Sequence, residues 1–128
     1  MHRILLVLAL CSTVCSGCYN VTPAQMRTEH GLHSQFTVDG SMQTVVKNIR
    51  NKTNECKWDM PDRVTLLEEL GEAQIEYRSV AGVDVLLFLV DLRIKDGKTS
   101  IDIYTMNKMH EKFFRVLEYG AKGLPGCP

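Results

Sequence analysis

Val83-Asp84-Val85-Leu86-Leu87-Phe88-Leu89-Val90-Asp91-Leu92-Arg93-Ile94 runs into Lys95, then Asp96-Gly97, and then, past Lys98, into Thr99-Ser100-Ile101-Asp102-Ile103-Tyr104. The fold turns on this stretch. Residues 83–94 form the most apolar stretch in the body of the chain, which predicts a central strand. Asp-Gly is a strong hairpin signal, because a two-residue turn of the right twist needs positive φ at both central positions. Beyond it, Thr99, Ile101 and Ile103 alternate with Ser100, Asp102 and Tyr104, the period of a half-buried strand. Two strands joined by so short a turn are antiparallel.

Working toward the N-terminus, Ala73, Ile75 and Tyr77 alternate with Gln74, Glu76 and Arg78, and Val64 and Leu66 alternate with Thr65 and Leu67. Gly71 marks a turn or bulge between them, and Gly82 a further break. Residues 57–62, with Trp58 and Pro61, interrupt the pattern. Before them Met42, Val45, Val46 and Ile49 fall at i, i+3, i+4 and i+7, with Lys47, Arg50 and Lys52 off the stripe. This is an amphipathic helix, and Ser41 after Asp39-Gly40 is its expected N-cap. Residues 35–38 read as a short strand with Phe36 and Val38 on one face. On the other side of the hairpin a second helix is expected from near Asn107. Its apolar stripe is Met109, Phe113, Val116 and Leu117, and Gly120 is the expected stop. The Gly- and Pro-rich tail, residues 123–128, cannot continue it.

The order is therefore strand, helix, three or four antiparallel strands, helix. That predicts an α+β fold over residues 35–128, a single domain with an antiparallel sheet of four to five strands and both helices packed on one face. The chain has 128 residues, enough for one core. Its hydrophobic share of 45% suits a packed domain rather than a disordered chain. Lys plus Arg and Asp plus Glu stand at 15 each, so there is no polycationic surface for phosphates, and a nucleic-acid partner is not expected.

The first residues carry a different message. Met1-His2-Arg3 is a charged start, residues 4–10 are apolar, and residues 11–17 are small and polar, the layout of a signal peptide over residues 1–17. A spanning helix needs about 20 apolar residues, and this run stops well short. Val14-Cys15-Ser16-Gly17-Cys18 resembles a lipobox, with Cys15 where a Leu is usual. The resemblance implies lipidation of Cys18, whose thiolate can take a diacylglycerol as a thioether, with residues 18–34 as lipidated Cys and flexible tether. Tyr19 follows Cys18 where an Asp would signal inner-membrane retention, so the outer membrane, facing the periplasm, is the expected location. With the lipobox, the Phe36-Thr37-Val38 strand, Cys56 and Cys127-Pro128, the chain resembles small proteobacterial lipoproteins, which implies no particular activity. Its element order also resembles helix-grip or TATA-binding-protein-like modules of envelope lipoproteins.

Once Cys11 and Cys15 leave with the signal peptide and Cys18 takes lipid, Cys56 and Cys127 remain as an even pair in an oxidising compartment, and a disulfide is expected. A redox-active pair would show C-x-x-C spacing, which is absent.

Among candidate site residues, His30 and His33 are three apart with only Glu29 nearby, too few ligands for zinc, so no metal is expected. Asp84, Asp91 and Asp102 are carboxylates that an acid–base pair could use, but they read better as solvated strand polars. No G-x-S-x-G, H-E-x-x-H or P-loop occurs. Lys108, Lys112 and Arg115 make a basic stripe on the second helix, a surface for anionic headgroups or an acidic partner. The sequence therefore reads as a non-enzymatic, membrane-anchored envelope lipoprotein without cofactor, acting as a binding or accessory module to an envelope protein. The alternative is a small-molecule or lipid carrier, with a cavity between sheet and second helix lined by Leu87, Leu89, Phe113 and Leu117.

Overall fold

The structure is a computed structural model and describes residues 21–58, 60–79, 85–105 and 111–128. It is an α+β fold. Five antiparallel strands, β1 (Leu32–Val38), β2 (Asp62–Leu67), β3 (Glu72–Arg78), β4 (Leu86–Lys95) and β5 (Lys98–Thr105), form one sheet in the order β1-β5-β4-β3-β2. The apolar β4 is the middle strand, as its composition predicts. Asp96 and Gly97 take φ of 53° and 75°, so the β4–β5 hairpin closes through the turn that Asp-Gly favours.

Two helices of three or more turns, α2 (Met42–Glu55) and α3 (Glu111–Lys122), share one core with one face of the sheet. Ser41 caps α2, its hydroxyl accepting from the Thr44 N–H at 3.2 Å. The predicted stripe Met42, Val45, Val46 and Ile49 is buried. It meets Ala73, Ile75 and Tyr77 of β3, Phe88, Val90 and Leu92 of β4, and Ile101 and Ile103 of β5. Phe113 of α3 lies at the aromatic centre of this layer, its ring 4.5 Å from that of Phe88, 5.1 Å from Tyr77 and 5.2 Å from Trp58. No helix among the described residues is long and apolar enough to cross a membrane.

Gly120 is not the stop that its residue type suggests. α3 continues to Lys122 and ends at Gly123, φ +66°. Gly123 N–H donates to the Gly120 carbonyl and Leu124 N–H to the Tyr119 carbonyl, a Schellman cap. Gly120 instead lies where α3 crosses α2. A Cβ there would stand 2.8 Å from the Ile49 Cα and 2.9 Å from the Lys52 Cβ, closer than atoms pack, so only hydrogen lets the helices approach.

The disulfide forms between Cys56 and Cys127, with Cα atoms 5.7 Å apart. It ties the C-cap of α2 to the tail. Buried Lys52 reinforces the junction by donating to the Gly126 carbonyl at 3.0 Å and pairing with Glu55 at 2.9 Å.

The expected tether is corrected from Val21 onward. Thr22 caps a helical turn, α1 (Pro23–Gln25), which runs into a π-helical turn (Met26–His30), and β1 begins at Leu32 rather than Gln35. Residues 22–25 spell out a capping box: Thr22 accepts from Gln25 N–H, Gln25 reaches back to Thr22 N–H, and proline sits at the first helical position. This segment lies on the sheet face opposite the two larger helices. There Val21 and Met26 pack with Leu86, Leu89 and Tyr104 in a second, smaller core.

Candidate functional site

The face that α1 covers carries a row of polar side chains, and its order follows from strand register. Gln35 stands opposite Asp102, Asp102 opposite Asp91, and Asp91 opposite Gln74, a single row across β1, β5, β4 and β3. Two carboxylates directly across a strand pair repel each other. Here donors from other elements offset that repulsion. Arg27, from the π-helical turn, takes Asp91 bidentately, Nε to Oδ2 at 2.6 Å and Nη2 to Oδ1 at 2.8 Å, and Nη2 also donates to Gln74 Oε1 at 2.8 Å. Gln35 Nε2 donates to Asp102 Oδ1 at 2.8 Å, and Arg93 Nη2 reaches Asp102 Oδ2 at 3.5 Å. In the next row Glu76 is buried and accepts from Gln74 at 3.0 Å and from Arg78 at 3.2 Å.

The electrostatics agree with this geometry. The hydrogen bond to Asp91 raises the Arg27 pKa above its ordinary value, against burial, which lowers it. Burial raises the Tyr104 phenol, and the charges of Asp102 and Asp91 add to the effect. All four oxygens of Asp91 and Asp102 have donors. The arrangement clamps the N-terminal segment to the sheet. Asp91 and Asp102 are therefore not the solvated strand polars expected from alternation: their side chains are only 12% and 8% exposed, because α1 and the π-helical turn roof that face. A cleft of 340 Å³ remains beside the clamp, lined by Arg27, Leu67, Glu72, Gln74 and Arg93 among others.

Arg27 is the residue that sequence reasoning missed. The signal was present in Thr22-Pro23-Ala24-Gln25, a helix start inside a stretch otherwise rich in loop formers.

The remaining candidates are dispersed. Cys18, Asp84 and Lys108 lie outside the described residues, as do residues 1–17. Lys112 and Arg115 are exposed on α3, and neither makes an ion pair among the described residues. Lys112 borders a shallow 290 Å³ cleft at the disulfide with Trp58, Cys56 and Cys127. His33 is in β1, stacked on Phe114 with ring centroids 3.5 Å apart. Its Nε2 is 3.5 Å from Glu111, and its buried Nδ1 has no hydrogen bond. No group of three or more His, Cys, Asp or Glu among the described residues is placed to hold a metal. The residues expected to line a carrier cavity do not converge. Phe113 and Leu117 are fully buried in the larger core and Leu87 packs against it, but Leu89 faces the opposite side, in the core under α1. A shift in the β3–β4 register between Tyr77 and Arg78 sets this phase.

The fold and this face define an α+β domain with a clamped N-terminal segment and a sheet that, among the described residues, ends at β2. No family model matches the chain, no curated protein matches it, and no solved structure matches it.

Proposed function

We propose that the chain is an exported lipoprotein, anchored to the outer membrane through lipid on Cys18, whose domain faces the periplasm and acts by binding a protein of the envelope, without catalysis or cofactor. The observation that supports this reading best is the Cys56–Cys127 bond. The bonded cysteines are the two left over after the signal peptide and the lipobox account for the other three, and such bonds persist in oxidising compartments. The signal-peptide layout and the resemblance to small proteobacterial lipoproteins point the same way. Val21 is buried three residues beyond Cys18. A lipid there would hold the domain within about 11 Å of its attachment point, a short leash suited to a partner at the membrane surface.

Metabolic labelling with a fatty acid, followed by fractionation, tests the anchor. The wild-type chain should take up label and sediment with membranes, and Cys18→Ala should do neither or remain unprocessed. A wild-type chain that is unlabelled and stays out of the membrane fraction refutes the reading.

A further inference from the structure

β2 is the last strand of the sheet, and among the described residues no strand lies against its outer edge. The parity of that edge follows from one bond. Pro61 accepts from the Arg78 N–H at 3.1 Å, and the β2–β3 register then runs from Asp62↔Tyr77 to Leu67↔Glu72 without a shift. Bonded and non-bonded couples alternate along an antiparallel pair. Arg63, Thr65 and Leu67 therefore spend their backbone groups on β3, while Asp62, Val64 and Leu66 turn N–H and C=O outward.

This edge keeps some of the usual guards, Pro61 at its start and the charges of Asp62 and Arg63, but not all of them. It has no bulge, whereas β1 at the other end of the sheet is interrupted between Leu32 and Ser34. Four exposed large apolar side chains gather at this end: Leu66 (44%), Leu67 (46%), Leu70 (69%) and Ile94 (56%). Ile94 lies beside Gly71 in the β2–β3 connection. Under the edge, a 460 Å³ groove runs between β2 and α2, with Val64 and Leu66 on one side and Lys47, Arg50 and Asn51 on the other.

The charges say which strand fits. The groove lining holds Lys47 and Arg50 and no carboxylate. Arg50 is occupied by Asp62 at 2.7 Å, but Lys47 makes no ion pair among the described residues. On the opposite face, Arg63 is 66% exposed and reaches only as far as Glu76, at 3.9 Å. Glu68 and Glu69 stand past Leu67, so acids of an incoming strand belong toward Lys47 and Arg63, and apolar residues toward Leu66 and Leu67.

We infer that the β2 edge is a strand-addition site for an extended segment of a partner protein that carries carboxylates among apolar residues. The backbone edge supplies affinity, and the groove takes alternate side chains. The inference rests on the reading of the domain as a binding module and names the chemistry of its partner. A second copy of the chain fits less well, because a two-fold pairing about Val64 brings the Lys47 side chains of both copies to one groove.

The test uses the full chain purified in detergent and two blocked heptapeptides, one with a pair of adjacent Glu, one for each face, beside a run of Val, the other with Lys in place of the Glu pair. Amide exchange is read by NMR. In the free protein Arg63, Thr65 and Leu67 should exchange slowly, and Val64 and Leu66 fast. The Glu peptide should slow Val64 and Leu66 by about tenfold or more and bind about tenfold more tightly than the Lys peptide. Leu66→Pro removes an outward N–H and leaves the β3 ladder whole, so it should abolish protection at Val64. Leu66→Glu, at an exposed position, should block addition of the Glu peptide by like charge, without a backbone change. Protection by neither peptide, or by both equally, overturns the inference. So does protection that rises with protein concentration in the absence of peptide, which assigns the edge to a second copy. Fatty-acid labelling is read separately, so a chain that takes no lipid but protects Val64 keeps the edge site and loses only the anchor.

Discussion

Tyr77 sits on the inner face of β3 with 1% of its surface exposed, and its hydroxyl has no hydrogen bond. The Thr53 hydroxyl, which would favour the phenolate, already donates to the Arg50 carbonyl at 2.8 Å. Burial raises the phenol pKa well above its ordinary value, and the charge of Asp62 across the strand pair pushes the same way. Because the folded-state value lies above the unfolded one, the stability linked to this group is fully present below pH ~10 and is lost as pH rises through the folded pKa, by up to about 1.4 kcal/mol per pH unit. Tyr77→Phe removes that dependence along with a buried unpaired hydroxyl. Urea unfolding of both proteins should give Tyr77→Phe an advantage of about 1 kcal/mol at pH 7 that grows above pH 10. Parallel pH profiles would show that the phenol is not buried as described. The inward direction of Tyr77 is legible from the Ala73, Ile75, Tyr77 alternation. Its unpaired hydroxyl is not, because that depends on how Thr53 of α2 spends its own donor.

At the scale of elements, α1 and the π-helical turn are held by two different forces, the burial of Val21 and Met26 and the Arg27–Asp91 ion pair. Asp91 is largely buried, but Arg27 is 36% exposed, so solvent screens the pair and its loss should cost about 1–2 kcal/mol rather than the larger values of fully buried pairs. Asp91→Ala should leave the sheet folded and loosen the segment. Brief trypsin treatment reads this directly, since Arg27 is a cleavage point. Cutting after Arg27 should be about tenfold faster in the variant while circular dichroism is unchanged. Equal cleavage rates would mean that Val21 and Met26 hold the segment without the clamp.

For the molecule as a whole, the Cys56–Cys127 bond closes a loop of sequence separation 71 and joins the end of α2 to a tail without regular structure. On the chain-entropy account a closure of this length contributes about 4 kcal/mol, less any strain. Cys56→Ser should therefore lower the thermal midpoint clearly and leave Cys127 open to thiol reagents. An unchanged midpoint would show that packing of α2 on α3, around Gly120, holds the tail region by itself.

Sequence alone determined the elements whose causes are local. Asp96-Gly97 sets its hairpin through φ preferences of two residues, and the stripe from Met42 to Ile49 marks one face of α2 by period. Tertiary structure decided what depends on contact between distant residues. Gly120 reads as a helix stop until α2 is seen 2.8 Å from where its Cβ would be. Residues 21–31 read as tether because their apolar side chains are few, and only the sheet supplies Leu86, Leu89 and Asp91 to receive Val21, Met26 and Arg27. Leu87 and Leu89 read as neighbours on one face until the register shift at Leu87 puts Leu87 with Phe88 on the larger core and leaves Leu89 on the other face. Local propensity is carried by neighbouring residues, whereas burial and ion pairing belong to pairs of surfaces that do not exist until the chain has folded.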